Sequence, residues 1–238
     1  ITMLLLLLNL RFANTFFESN QNQEVTFIQQ NESSINVKMK IGDITSSIIQ
    51  KDNNEFLILN TDNSYYSTNI GKPKLPQYNQ LIEIPRESII QIEIIKEESI
   101  LINLDDIKIF PSQPSLSKSN NNEIVEFYFD NEVYQNNKFV NNNIIDIENK
   151  GKMREIEIAN INIKPINYNP VSNELIIYTN IEFNIIFDKA NFEQTRIMKH
   201  KYASPYFEAI FENSLINYSS PYSNLSRDND FIEDNVKY

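Results

Sequence analysis

Short runs of β-branched and aromatic residues recur along this chain from Val25 onward, each bounded by clusters of Asn, Asp, Ser or Pro. The runs are Val25 to Ile28, Ile35 to Ile41, Ile44 to Ile49, Phe56 to Leu59, Leu81 to Ile84 and Ile89 to Ile95. They continue with Ile107 to Phe110, Ile124 to Phe129, Ile156 to Ile163 and Leu175 to Phe187. Most are too short for helices, and the polar breaks between them suit turns, so they are read as strands. Several alternate with period two: Ile90, Ile92 and Ile94 fall on one face of their run, while Gln91, Glu93 and Ile95 fall on the other. Many short strands without intervening helical patterns exclude a βαβ arrangement. The expected fold is all-β, an antiparallel, jelly-roll-like β-sandwich. At 238 residues one main domain of this kind is expected.

Two proline-rich segments punctuate the pattern. Gly71-Lys72-Pro73-Lys74-Leu75-Pro76 precedes the strand that closes on Ile82-Glu83-Ile84. Pro73 and Pro76 fix φ and bias the preceding residues toward extended backbone, giving a stiff lead-in to a sheet. Lys164-Pro165-Ile166-Asn167-Tyr168-Asn169-Pro170 leads through Val171 to Glu174 into Leu175-Ile176-Ile177-Tyr178, and reads as a rigid hairpin corner. Ser204-Pro205 then supplies an N-cap and a first-turn proline, and Phe207, Ile210, Phe211 and Leu215 recur at helical spacing. A short C-terminal helix is predicted there. Tyr218 to Asp234 is polar, contains Pro221, and reads as a linker.

Composition bounds the chemistry. The chain has no cysteine and a single histidine, His200, placed before the predicted helix as a surface residue. No Cys/His nucleophile pair or zinc site is complete within it, and no phosphate loop or nucleophile elbow is present. The net charge of -11 excludes nucleic acid and anionic membrane surfaces as partners, since both need clustered Lys and Arg. Carboxylates such as Asp105-Asp106 and Glu97-Glu98 read as solvated surface rather than a catalytic pair, whose members must face each other across a cleft. Leu4 to Leu8, extended by Leu10, Phe12 and Ala13, is too short to span a bilayer and matches the apolar part of a secretory signal. Asn-x-Ser triplets occur at Asn31, Asn217 and Asn224, and chance alone produces such triplets in an asparagine-rich chain. The longest gaps between strands, 111–122 and 131–143, are where activity is expected.

Together the two proline segments resemble the pro-region of the gingipain-type cysteine peptidases, clan CD family C25. That family carries a Gly-x-Pro-x-Leu-Pro segment before a strand, matched by Gly71, Pro73, Leu75 and Pro76. It also carries a Pro-x-x-Tyr-Asn-Pro-Val segment, matched by Pro165, Tyr168, Asn169, Pro170 and Val171, leading into a Leu-x-Ile-Tyr-Thr strand at Leu175 to Thr179. Tyr134 to Phe139 resembles the family's Tyr-x-x-Asn-Lys-Phe stretch, and Phe207 with Asn217-Tyr218 fits its terminal helix. The resemblance covers Val25 to Tyr218. It implies a secreted sandwich that precedes a catalytic domain in the same precursor, helps it fold and keeps it latent. It implies no cofactor, no stable membrane anchor, and no peptidase activity in this piece.

In trypsin-like members, a loop after a strand ending in Pro-Ser inserts a basic side chain into the enzyme's specificity pocket. Counting from Phe110-Pro111-Ser112, the resemblance assigns that inhibitory role to Lys118, and maturation cleavage to Arg227. The expected organisation is a signal peptide over 1–20, a sandwich pro-domain over 21–213, a linker with the maturation site over 214–234, and the start of a catalytic domain at 235–238. Two other readings stay open. One is a secreted binding module for carbohydrate or a surface partner, which 12 tyrosines leave feasible in a chain without tryptophan. The other is an independent hydrolase, disfavoured because no nucleophile and base stand together.

Overall fold

A computed structural model describes residues 14–19, 21–114 and 126–222. In chain order the strands are β1 (Asn14–Phe17), β2 (Glu24–Asn31), β3 (Ser34–Lys40), β4 (Ile44–Lys51), β5 (Asn54–Thr61), β6 (Tyr65–Tyr66), β7 (Pro76–Ile84), β8 (Ile89–Asn103) and β9 (Lys108–Ile109). After the short helix α1 (Asn131–Tyr134) come β10 (Ile145–Met153), β11 (Ile156–Ile163), β12 (Ile166–Asn169) and β13 (Glu174–Asp188), then α2 (Phe192–Tyr202) and α3 (Pro205–Ser214).

The strands form three sheets, in the orders β1-β4-β5-β9, β10-β11-β7-β6 and β12-β13-β3-β2, with β8 also paired to β13. Named strands pair antiparallel throughout, except for the short parallel contact of Phe56-Leu57 with Lys108-Ile109. The organising element is β13. Its fifteen residues run against β8 along one edge, from Glu174↔Asn103 to Asp188↔Ile89. Along the other edge they meet β12 first and β3 afterwards. One strand therefore serves two cores. Ile181, Phe183, Ile185 and Phe187 join β3, β7, β10 and β11 in the larger cluster. Leu175 and Ile177 join Ile41, Ile44, Leu57, Leu59, Leu75, Ile109, Tyr134, Ile166 and Tyr168 in the other. Each of these β13 side chains is fully or almost fully buried, contributing ~1.5–3 kcal/mol by removal from water.

The all-β antiparallel expectation and the helix after Ser204 agree with this architecture. Other elements differ from expectation. β10 and β12 were not anticipated, nor was α2, whose last turn carries His200, exposed and ahead of the helix after Ser204 as expected. The strand expected over 124–129 is absent from its described part: residues 126–129 join no ladder, and Phe127 and Phe129 pack as rings instead. The 131–143 gap is opened by α1, capped by Asp130, whose carboxylate accepts the Val133 N–H at 3.1 Å. At the amino end, Asn14–Phe17, inside the stretch expected to be a leader, pair with β4, and Phe16 and Phe17 pack on the second core. The expected linker begins docked: Leu215 is buried beside Phe211 and Ile156.

Candidate functional site

The Gly71–Pro76 segment lies alongside Phe110-Pro111-Ser112, the strand end that opens the 113–128 loop. Gly71 N–H donates to the Ser112 carbonyl at 2.8 Å, Ser112 N–H returns a bond to Lys72 at 2.8 Å, and Lys74 N–H donates to Phe110 at 2.8 Å. Pro73 and Pro111 sit opposite each other in this short ladder, where neither is asked to donate. The far end of the loop is caught by the same glycine: Asp130 N–H donates to the Gly71 carbonyl at 3.0 Å. Gly71 has φ +80°, and a Cβ there would meet the Asp130 nitrogen at 3.1 Å. Only glycine satisfies both the left-handed backbone and that approach.

Two side chains tighten the neck. Ser112 Oγ donates to the Ser67 carbonyl at 2.6 Å. Gln113 bridges to the opposite leg, its Nε2 donating to the Tyr128 carbonyl at 2.8 Å and its Oε1 accepting the Tyr128 N–H at 3.0 Å. Both legs of the loop are thus closed by hydrogen bonds before its tip begins.

The Pro165–Val171 segment supports the same stem from behind. Tyr168 is fully buried in β12, and its hydroxyl bonds to the Asn173 side chain. Asn173, at φ +56°, donates in turn to the Asp105 carbonyl and, at 3.0 Å, to that of Ile107, fixing the turn that feeds β9. Asn169 Nδ2 reaches Asn137 Oδ1 at 2.9 Å, and Val140 N–H donates to the Tyr168 carbonyl at 2.9 Å, so the segment after α1 is held as well. Tyr134 closes the circuit by donating to the Ile109 carbonyl at 2.6 Å while stacking on Phe129 with centroids 4.1 Å apart. Burial pushes the Tyr168 hydroxyl up to about 12 and raises Tyr134 further still, so both are neutral donors at physiological pH.

Around the stem Phe56, Phe110, Phe127 and Phe129 form a ring cluster with neighbouring centroids 5.7–6.4 Å apart. Lys74 lies over Tyr66 at 4.3 Å, and Lys51 over Phe127 at 5.8 Å, so the apolar stem is edged with cations. A cavity of about 580 Å³ opens beside it between Asp52, Asn54, Phe56, Lys108, Phe127 and Phe129. Among the described residues no group of three or more His, Asp or Glu stands together as a cation site, and the most exposed tyrosines, Tyr65 and Tyr206, lie on separate elements.

Lys118 and Arg227 lie outside the described residues. All eight motif residues lie within them and are buried; Gly71 and Pro73 meet the stem of the loop that contains position 118 directly, and Tyr168 of the second motif braces it through Asn173. This convergence was not anticipated, because the two segments are about ninety residues apart and each reads locally as a sheet corner.

The chain leading toward position 227 is held as well. Asn217 grips the Glu83 backbone from both sides, Oδ1 accepting the N–H at 2.7 Å and Nδ2 donating to the carbonyl at 2.9 Å. Lys199 pairs with the buried Glu83 carboxylate at 2.5 Å, donates to the Ser219 carbonyl at 3.2 Å and lies 4.1 Å over the Tyr218 ring. Glu208 of α3 accepts from the Tyr218 hydroxyl at 3.0 Å and from Ser220 Oγ at 2.5 Å. Desolvation raises the Glu83 carboxyl above its ordinary value even with Lys199 opposing the shift.

Comparison with known proteins bears on this arrangement. Lys-gingipain of Porphyromonas gingivalis is 31% identical over 146 residues, covering 60% of this chain and 8% of the relative. Gingipain R2 of the same organism is 20% identical over 203 residues, covering 85% of this chain and 27% of the relative. The chain thus spans a small part of the curated relatives it matches. Among solved structures, one addressing the zymogenic latency of P. gingivalis gingipain K superposes with a TM-score of 0.65 at 20% identity, covering 74% of this chain and 98% of that one. A complex of P. gingivalis RgpB pro- and mature domains gives 0.68 at 19% identity, covering 83% and 99%. The model of the C25 propeptide family, Propeptide_C25, matches residues 16–224, and the chain belongs to that family as a non-catalytic propeptide region.

Proposed function

We propose that this chain is the pro-region of an exported gingipain-like cysteine endopeptidase, assisting the folding of a catalytic domain in the same precursor and holding it latent. The observation that carries the reading is the stem: the Gly71–Pro76 motif and Gln113 close the neck of one loop with hydrogen bonds, and Tyr168 of the distant second motif braces the turn that feeds β9 through Asn173, as expected of a loop that must keep its aim. On this reading Lys118, within that loop, enters the acidic specificity pocket of an enzyme that cleaves after basic residues, and the sandwich blocks the cleft. An inserted chain on a stiff stem loses less conformational freedom on binding than a free one.

Export through an amino-terminal leader fits the apolar run at Leu4 to Leu8. Because Asn14–Phe17 pair with β4, a leader whose removal leaves the fold whole ends ahead of Asn14. Maturation is assigned to the bond after Arg227. The docking of Leu215 to Ser220 supports a site beyond Tyr222, since the backbone before it is held against the fold. Amino-terminal sequencing of the processed enzyme tests this: a start at Asp228 is expected, and a start at or before Tyr222 contradicts it.

A further inference from the structure

The three Asn-x-Ser triplets are alike in sequence, but the fold distinguishes the two that can be compared. Asn31 closes β2 at the tip of the β2–β3 hairpin and is exposed. Its Oδ1 accepts from the Ser33 N–H at 2.8 Å, from Ser33 Oγ at 2.7 Å and from Ser34 Oγ at 3.1 Å. The triplet is thereby folded into an Asx turn that brings the hydroxyl of its third residue onto the asparagine amide. Nδ2, by contrast, makes no hydrogen bond among the described residues. Among the described residues the carbonyl oxygen is fully used and the nitrogen has no partner, and the site is exposed. The hairpin is fixed independently of that nitrogen, through Phe187 N–H donating to the Ser33 carbonyl at 2.9 Å.

Asn217 is the opposite case. Both of its amide atoms are committed to the Glu83 backbone, at 2.7 and 2.9 Å. It is half-buried, and its neighbours Leu215, Tyr218 and Ser220 pack on α3. A sugar on Nδ2 there would have to fit against the Glu83 backbone, to which that nitrogen is bonded, and would displace the docked segment.

We propose that Asn31 is an N-glycosylation site of the exported chain and that Asn217, despite the same triplet, is not. The inference rests on the export reading. In the reaction Asn31 Nδ2 attacks C1 of the first sugar of a lipid-diphosphate-linked oligosaccharide. The Nδ2–C1 bond forms, the C1–O bond to the diphosphate breaks, and the lipid diphosphate departs with the bonding pair. A base of the transferase takes one Nδ2 proton, and no oxidant or reductant is involved. A glycan at Asn31 adds bulk at a hairpin tip, where a polar substituent costs the fold little.

The test is to express the full precursor with its own leader in a eukaryotic secretory cell and to map modified asparagines by mass spectrometry after enzymatic glycan removal, which leaves aspartate at each occupied position. Aspartate at 31 with unmodified Asn217 is expected. Asn31→Gln and Ser33→Ala should each abolish the corresponding gel-mobility shift, and Ser33→Thr should retain it. Secreted protein unmodified at Asn31 overturns the proposal while leaving export intact, and occupancy at Asn217 in folded secreted protein overturns its second half. Precursor retained in the cytosol overturns both this inference and the export reading.

Discussion

Gly71 shows how one residue can carry a motif. Its carbonyl and N–H hold the two legs of the 113–128 loop, its φ is +80°, and the space beside it is taken by Asp130. Replacing it with alanine adds left-handed backbone strain and a contact that must relax against backbone. Gly71→Ala should therefore cost ~1–3 kcal/mol in urea denaturation. Gly151 is the control: it also has positive φ, at +98°, but an added Cβ meets nothing within 4 Å, so Gly151→Ala carries the strain without the crowding and should cost less. Equal losses at the two positions would show that the approach of Asp130 contributes nothing. Sequence alone identified Gly71 as part of a motif, because the prolines around it are legible. It did not reveal the partner, because Asp130 is far away along the chain.

Among the elements, strands with a run of β-branched or aromatic residues were readable, with or without alternation, and those lacking such a run were not. β3, β7, β11 and β13 bury alternate residues along much of their length. β12 buries all four of its residues, Ile166 to Asn169, and its asparagines resemble turn formers until their bonds to Asn137, Asn141 and backbone are seen. The outer half of β10, Glu148 to Met153, is exposed, so it carries no core stripe. α2 has no buried residue and hence no apolar face to read. The neck of the loop rests on Gln113, a polar residue that sequence gives no reason to single out. Gln113→Ala removes two hydrogen bonds across the neck. Limited proteolysis should then cut the 113–128 loop several-fold faster with the midpoint of thermal unfolding almost unchanged, whereas unchanged cutting would mean that the backbone ladder suffices.

The docked carboxyl-terminal segment makes a prediction in pH. Glu83 has its carboxyl raised by burial, so between the ordinary carboxylate value and the raised one the folded chain binds more protons than the unfolded chain. Stability contributed through this group therefore falls as pH rises across that window. Glu83→Gln should remove that slope, so wild type minus variant stability should decline with rising pH in the window. A difference that rises instead would mean that Lys199 dominates.

For the whole molecule, β13 joins two cores, and the second of them is built largely from the residues that steady the loop stem: Leu75, Ile109, Tyr134, Ile166, Tyr168, Leu175 and Ile177. Fold and proposed function therefore share residues. The all-β class followed from periodicity, and the pro-region assignment from two motifs that belong to the scaffold. The proposed inhibitory lysine became visible only through the family resemblance, because an exposed lysine in a polar loop carries no local signature. The most direct measurement is inhibition of the separately prepared catalytic domain of the same precursor by this region added in trans, alongside Lys118→Ala. The account predicts tight inhibition by the wild-type region and at least ~30-fold weaker inhibition by the variant, the ~2 kcal/mol floor for truncating one partner of a buried charge pair. Inhibition unchanged by Lys118→Ala would contradict it.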